Sequence, residues 1–512
     1  MIMSKVLTKK LQKIADINEK TKEKTETKFM KQEWAEIDGL PNPFEVVKDF
    51  IKEKGLKLYG GLALHSHLKK HKAGLYKNYQ FPDYDVLSPD AWNHAKELAD
   101  RLHKLGYMFV EARQSVLNDY HHSTYKVSVD MLYLLDITQR GCSPKQLKSK
   151  DCKTCGLSKD GKCMRLFDEL PAYSLDYNKH SKNPKIYRDT YNYKTGKSLY
   201  PNKFFVMAPD WLKAQMFREL TEPLSNPPRL PKIGSRLQQF QKFYDFELRK
   251  CSDADYKTKV VTKMKPYINT ISEYIKYKKL INYGASAYNL FIRGSKKIGG
   301  LGVSDYKVYS INPDFHVKQL LETLKKKHPK PHFITYRRNK LWKEHDDLET
   351  IIAIKLDNKV NNLITITQQD KCMPYVQYKG IRYATIDRLK YLYYEAMSIP
   401  NFIRSVEDDP QNYECLLTNL LKAEKQYHKT KKISKKNSKS KFRRYISKCQ
   451  GDEYSKIVSN LTNRWIDKLK SLKQTKYYPN KPKLGWITKI SKMSDTEMFL
   501  PYKPEERNIK KD

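Results

Sequence analysis

The polar and apolar positions of this chain fall into patterns that occur twice. TYKVSVDMLYLLDITQ at 124–139 reads as two alternating β-branched runs joined by a short turn, the signature of a hairpin with one buried face. IAIKLDNKVNNLITITQ at 352–368 reads the same way. Ahead of each hairpin lies a helical pattern, AKELADRLHKLGY at 95–107 and VKQLLETLKKKH at 317–328. Further upstream, LYGGLAL (58–64) and PDYDVLSPDAW (82–92) correspond to NYGASA (282–287) and SDYKVYSINPDF (304–315). Downstream, APDWLKAQMFREL (208–220) and TIDRLKYLYYEA (385–396) align at Asp-x-Leu-Lys. Any one of these correspondences is weak, but their common order identifies one unit present twice. The expected fold is α+β, with two tandem units of mixed sheet flanked by helices and with helical terminal regions.

The spacing between correspondences locates an insertion. Gly60 to Gly284 is 224 residues and Asp83 to Asp305 is 222, so the copies run nearly in step. Gln139 to Asp210 spans 71 residues, whereas Gln368 to Asp387 spans 19, so the first copy carries about 52 extra residues there. The expected organisation is a charged helical segment over 1–40, a first unit over 41–250 with a Cys-rich insertion at 140–200, a second over 251–400, and a basic, mostly helical region over 401–512.

The chemistry concentrates in the first copy. A strand ending at Tyr59 leads into Gly60, Gly61 and a helix, where glycine lets a phosphate approach and helical N–H groups face the anion. Asp83-Tyr84-Asp85 follows, at the end of an expected strand from Phe81 to Leu87. Strand geometry puts both carboxylates on one face, roughly 6–7 Å apart. Their repulsion is relieved when Mg²⁺ or Mn²⁺ sits between them. A third acid on a neighbouring strand would complete a two-metal site. Asp136 is preferred because it lies inside the hairpin's returning strand, with Asp130, near the turn, as the alternative. The second copy has Lys307 in place of Asp85 and Thr365 in place of Asp136, and keeps only Asp305. It is expected to be a non-catalytic duplicate.

Charge adds a partner. Lys and Arg number 99 against 57 Asp and Glu, a formal net charge of +42, which suits an extended polyanion such as RNA. A basic stretch, HKTKKISKKNSKSKFRRYISK (428–448), reads as an RNA-tracking arm or a solvated linker, and some of the 37 tyrosines could stack bases. The first residues lack the apolar core of a signal peptide, and no apolar run is long enough for a membrane span. Eight cysteines in 512 residues exclude a secreted disulfide scaffold and suggest a soluble protein in a reducing compartment. Cys142, Cys152, Cys155 and Cys163, in a segment poor in apolar residues, could hold a structural Zn²⁺; disulfides or unpaired thiols are the alternatives. Cys251, Cys372, Cys415 and Cys449 are scattered and read as structural.

Gly-Gly, Asp-x-Asp and a third strand Asp together resemble the polymerase-β-type nucleotidyltransferase superfamily. YGGLALH, PDYDVLS, TYKVSVDMLYLLDIT and PDWLKAQMFREL narrow the resemblance to the poly(A) polymerase catalytic subunits of large cytoplasmic DNA viruses, over roughly residues 40–400. The resemblance implies an active nucleotidyltransferase domain followed by a degenerate one. It implies extension of RNA 3′ ends from ATP without a template, with Asp83, Asp85 and Asp136 as catalytic acids on Mg²⁺ or Mn²⁺ and Gly60 and Gly61 near the triphosphate. Lys213 and Lys232 are the cations expected to neutralise that triphosphate. The usual Gly-Ser is here Gly60-Gly61-Leu62, and the gap to Asp83 holds a basic insert, LKKHKAGLYKNYQ (68–80). A viral factory in the host cytoplasm, and the virion, are the implied locations; for processivity the resemblance offers a separate partner subunit, as in poxvirus relatives, while the long ends and heavy charge also suit a homodimer, which is preferred. A nucleotidyltransferase with another acceptor (a tRNA end or a small nucleotide) and a non-catalytic basic RNA-binding protein are the competing functions.

Overall fold

The computed structural model describes residues 40–76, 83–107, 109–115, 124–129, 132–149, 158–159, 162–163, 165–181, 183–221, 230–248, 250–251, 262–293, 295, 298, 300–303, 305–339, 348–356, 359–368, 373–399, 410–430, 441–442, 449–450 and 476–479. The expected N-terminal charged helix, most of the 428–448 arm and the C-terminal end lie outside the described residues.

The first unit opens with helix α1 (Pro43–Lys54), started by the Asn42 side chain on Phe44 N and ended by Gly55 in the left-handed conformation. Strand β1 (Lys57–Tyr59) then runs directly into helix α2 (Gly60–Lys69). Strand β2 (Tyr84–Ser88), helix α3 (Ala91–Lys104), strand β3 (Val110–Gln114) and the hairpin of β4 (Thr124–Val129) and β5 (Leu132–Gln139) follow. Strands β6 (Ala172–Ser174) and β7 (Phe205–Met207) and helices α4 (Pro209–Thr221) and α5 (Leu230–Gln241) complete it.

The second unit repeats the order. Helix α6 (Lys265–Lys278) leads to β8 (Ile281–Asn282), α7 (Ala285–Ile292), β9 (Tyr306–Ser310) and α8 (Pro313–Lys327). Then come β10 (Phe333–Asn339), the hairpin of β11 (Leu348–Leu356) and β12 (Lys359–Gln368), the hairpin of β13 (Met373–Tyr378) and β14 (Ile381–Ala384), and helices α9 (Ile386–Ser398) and α10 (Pro410–Thr430). Two short strands, β15 (Cys449–Gln450) and β16 (Lys476–Tyr477), close the sequence of described elements.

Both sheets are mixed and have eight strands, in the orders β16-β3-β4-β5-β2-β1-β7-β6 and β10-β11-β12-β9-β8-β14-β13-β15. Seven strands of each sheet, β3-β4-β5-β2-β1-β7-β6 and β10-β11-β12-β9-β8-β14-β13, correspond in order and in direction. β1 is parallel to β7 as β8 is to β14, and β2 is parallel to β5 as β9 is to β12. The duplication read from sequence is therefore a duplication of topology. The chain's last described strands add to the two free edges, β16 on β3 and β15 on β13.

The insertion is not one block. Strand β6, three residues without a readable period, belongs to the sheet and corresponds to β13. The extra chain is thus split into 140–171, against four residues at 369–372, and 175–204, against two at 379–380. The hairpin β13–β14 turns through Lys379 and Gly380 alone.

Helices α4 and α9, which follow corresponding strands, pack on each other between the sheets. Phe217 and Tyr394 occupy equivalent positions and stack face to face, ring centres 5.8 Å apart and planes 9° from parallel. Lys213 lies over the Tyr394 ring and its counterpart Lys390 over the Phe217 ring. The local symmetry axis therefore passes through this aromatic pair. One apolar core runs from the first sheet through α4, α9 and α7 to α10, while Ile268, Ile271, Val308, Leu320, Leu324 and Ile364 form a separate core on the second sheet. Cys251 and Cys415 are joined in a disulfide, so these two scattered cysteines are a structural pair rather than separate reduced thiols.

Candidate active site

The site follows from β2 running antiparallel to β1. The start of β2 lies beside the end of β1, with Tyr59 opposite Asp85, so Asp83 and Asp85 stand at the beginning of their strand rather than at its end as expected. On its other side β2 is parallel to β5, and Asp85 lies directly across from Asp136. Oxygen atoms of Asp83, Asp85 and Asp136 all come within 4.8 Å of one another, Asp83 exposed and the other two half-buried. Asp130, the alternative third acid, lies outside the described residues.

Three neighbours shape this cluster. Gly60 adopts φ +69° at the first position of α2, and a Cβ there would overlap the Asp85 carboxylate. Only glycine lets the strand-to-helix turn pass that close. Lys126 on β4 stands opposite Asp136 and donates to both of its oxygens at 2.7 and 3.0 Å. The Tyr59 hydroxyl, 2.9 Å from Thr138 Oγ1, links β1 to β5 beneath the acids, and burial holds its pKa above the ordinary phenolic value.

The start of α2 has a second occupant. Arg236 on α5 donates to the Tyr76 hydroxyl at 2.9 Å, and both side chains lie against Gly61, where a Cβ would overlap Tyr76 and come within 3.2 Å of the guanidinium. Burial, assisted by Asp85 and Asp83 and opposed by Arg236, holds the Tyr76 pKa above its ordinary value, which places this hydroxyl within electrostatic reach of the acids. His65 Nδ1 accepts from Tyr76 N at 2.9 Å and fixes the chain there, so residues 70–76 of the basic insert fold back over α2.

The expected cations divide. Lys232 is exposed on α5, one turn before Arg236 and on the same side. Lys213 is buried in the α4–α9 contact, ion-paired with Asp210 at 2.8 Å and donating to Tyr244 O at 2.9 Å. Burial alone would lower its pKa, but Asp210 and Tyr394 outweigh that and raise it. The expectation that Lys213 meets a triphosphate is therefore corrected, because this ammonium is committed to joining the two units. Asp210, one helical turn away in the sequence, was the available warning. Lys126 and Arg236 were missed; both stand in segments singled out for other residues.

The cysteine reading also changes. Cys142 is buried and disulfide-bonded, so it has no thiolate to offer zinc. Cys152 and Cys155 lie outside the described residues, and Cys163 belongs to a two-residue strand, Lys162–Cys163, paired with Ser158–Lys159. Cys372 also lies outside the described residues.

The three acids suit a hard divalent cation: three carboxylates and no nitrogen or sulfur donor is the ligand set Mg²⁺ and Mn²⁺ favour. In the second unit the corresponding row is Lys307, opposite Thr365, opposite Ile351.

Comparison with known proteins agrees with the sequence-based resemblance. Residues 45–147, which contain all three acids, match the family model of the poly(A) polymerase catalytic subunit. A protein of Acanthamoeba polyphaga mimivirus described as a poly(A) polymerase catalytic subunit is 36% identical over 96 residues, 18% of this chain and 16% of that one. A protein so described from African swine fever virus (isolate Pig/Kenya/KEN-50/1950) is 25% identical over 256 residues, 50% of this chain and 41% of that one. The alignments thus span well under two thirds of these relatives' own length. The crystal structure of the Megavirus polyadenylate synthase superposes with a TM-score of 0.61 over 88% of this chain and 82% of that one, at 20% identity, which establishes a common fold.

Proposed function

We propose that this chain, which resembles the poly(A) polymerase catalytic subunits and matches their family model over residues 45–147, is a template-independent poly(A) polymerase that adds AMP from ATP to RNA 3′ ends. The observation that carries the proposal is the convergence of Asp83, Asp85 and Asp136 within 4.8 Å beside the glycine-led start of α2. Residues 41–250 would be the catalytic unit and 251–400 its degenerate copy.

In the proposed reaction the RNA 3′-hydroxyl oxygen attacks the α-phosphorus of ATP and gives up its proton to solvent, a new P–O bond forms, and the bond from the α-phosphorus to the bridging oxygen breaks, its electron pair leaving with pyrophosphate. Divalent cations held by Asp83, Asp85 and Asp136 would supply a lowered pKa for the hydroxyl and charge neutralisation for the leaving oxygens. Lys126, donating to both its oxygens, orients Asp136. Gly60 and Gly61 would open the helix start to phosphate oxygens, and Arg236 would take the triphosphate's charge, with Lys232 one turn away. Tyr76, bonded to Arg236, fixes that guanidinium over Gly61.

Primer extension tests the proposal. A labelled RNA primer, each NTP separately and Mg²⁺ or Mn²⁺ should give a long ladder with ATP, and an Asp83→Asn, Asp85→Asn variant should lose at least roughly a thousand-fold in rate. Equal ladders with all four NTPs would remove the ATP selectivity, and an undiminished ladder in the variant would remove the site. The same proposal has the enzyme working in the cytoplasmic viral factory and the virion, as a self-pairing dimer. Sedimentation of the full chain without RNA should give twice the monomer mass. No helix of the described residues is long and apolar enough to cross a membrane.

A further inference from the structure

The second unit keeps only Asp305 of the three acids but carries a feature of its own. A cavity of about 470 Å³ opens between α7, the chain just after it and the β13–β14 hairpin, lined among others by Ser286, Asn289, Arg293, Tyr378, Lys379 and Tyr383. That volume is in the roughly 300–1,000 Å³ range of small-ligand clefts. None of its lining residues is acidic, while Arg293 and Lys379 are both exposed cations. Among the described residues neither cation has a carboxylate partner. The Arg293 guanidinium sits 5.6 Å from the centre of the Tyr378 ring.

Two observations tie the cavity to the architecture. In the first unit the long 175–204 excursion brings Tyr177 onto the equivalent helix α2, where its hydroxyl is 2.7 Å from His67 Nδ1 and its ring lies 4.3 Å from the Lys70 ammonium. The second unit has only the two-residue turn at this place, and the flank of α7 is left open. That turn also holds Lys379 at φ 48° beside Gly380 at φ 80°. Asn, Asp or Gly usually fill such left-handed turn positions. A lysine there is kept in a costly conformation, and the result is a cation at the cavity mouth.

We propose that this cavity is a nucleotide-binding site: the tyrosine rings take a base by stacking, and Arg293 and Lys379 take its phosphate. The shared chemistry, a base bearing phosphate, fits a unit of single-stranded RNA or free ATP; the choice of RNA rests on the polymerase proposal. The degenerate unit would then hold the growing strand while the first unit extends it.

The full chain carrying Asp85→Asn, which separates binding from turnover, is the host for the test. Oligo(A) containing 8-azidoadenosine should photolabel Tyr378 or Tyr383. Adding Arg293→Ala and Tyr378→Ala should abolish that label and weaken fluorescent oligo(A) binding by roughly tenfold, while Tyr378→Phe, which keeps the ring, should stay within about twofold. Protection by unlabelled oligo(A) but not by ATP assigns the site to RNA, and equal protection by ATP makes it a site for free nucleotide. Absence of label at these tyrosines, or oligo(A) affinity unchanged in the double variant, overturns the proposal. Because no turnover is read, failure here leaves the polymerase proposal standing, and failed primer extension leaves this site standing.

Discussion

Two rows of side chains cross the two sheets at equivalent places. In the first the row is Asp85, Asp136 and Lys126; in the second it is Lys307, Thr365 and Ile351. Around the rows the scaffold bonds are kept. Tyr59 meets Thr138 at 2.9 Å and Tyr283 meets Thr367 at 2.7 Å. Ser88 Oγ accepts from Asp90 N at 3.0 Å, as Ser310 Oγ accepts from Asn312 N at 3.0 Å. His65 holds Tyr76 N at 2.9 Å, and Asn289 holds Leu301 N at 2.7 Å. The sheet, its turns and the loop tether thus persist where the carboxylates are gone. Clustered acids repel, and the second unit keeps the same scaffold bonds without Asp85 and Asp136.

The largest effect should come from making the first row resemble the second. Asp85→Lys with Asp136→Thr should abolish primer extension, a loss of at least roughly a thousand-fold, while thermal melting stays at or above the parent's. The reverse exchange, Lys307→Asp with Thr365→Asp, should give the second unit an Mn²⁺ site visible by electron paramagnetic resonance. A first-row variant that fails to fold would mean the acids are part of the scaffold after all.

Next in size is a glycine pair. Gly60 and Gly284 precede corresponding helices, but Gly60 has φ +69° against the Asp85 carboxylate, whereas Gly284 has φ −89° and a Cβ there would lie 3.1 Å from the Lys307 Cβ. Gly60→Ala should cost roughly 1–2 kcal/mol of stability and about a hundredfold in extension by displacing Asp85. Gly284→Ala should stay within about 1 kcal/mol of the parent in a denaturant titration. Equal effects at both positions would show that the crowding at Gly60 is not what sets Asp85.

What could be read from the chain before its structure follows the same division. The duplication was legible because apolar periodicity and spacing survive together, and the opposition of Asp85 to Asp136 was legible because Asp136 falls inside a recognisable hairpin. Strand β6 was not, since Ala172-Tyr173-Ser174 is too short to show a period and gains its place from pairing with β7 and, through Ala172, with Tyr187. Lys213 was misassigned because a lysine on an amphipathic helix reads the same whether it faces a ligand or a second copy of the fold. Arg236 needed the fold-back of Tyr76, a contact 160 residues apart in sequence.

The interface between the copies is also asymmetric in its charges. Lys390 is buried between Glu424 at 2.7 Å and Asp387 at 3.6 Å, and the Glu424 side chain is only 10% exposed. Lys213 pairs with Asp210, whose side chain is 49% exposed. Lys390→Ala takes the ammonium away from two buried carboxylates and should cost about 3–5 kcal/mol. Lys213→Ala leaves a carboxylate that water can reach and should cost about 1–2 kcal/mol. Chemical denaturation measures both, and Lys390→Met with Glu424→Gln should recover most of the larger loss. The opposite ranking would place the stabilising charge on the first unit's side of the axis.

A last contrast is in acid stability. His67 donates through Nε2 to Met207 O at 2.9 Å, and burial pushes its pKa down to about 4; burial pushes that of His94 down to about 3. Their counterparts in the second unit are Phe291, which cannot titrate, and the half-buried His316, whose pKa burial also lowers. A histidine with a depressed folded pKa is neutral in the native state, so the unfolded chain binds the extra proton first, near pH 6.5. Stability is complete above that value and is lost as pH falls toward 4, by on the order of 3 kcal/mol for His67 alone. Hydrogen exchange at pH 5 should therefore loosen β1, β2 and β7 more than β8, β9 and β14, relative to pH 7. His67→Phe, which installs the second unit's residue, should cost about 1–2 kcal/mol at pH 7 through the bonds to Met207 and Tyr177, yet flatten the slope between pH 7 and 5. Uniform loosening of both sheets would assign the acid sensitivity to the shared α4–α9 core instead, where the two units would then melt as one.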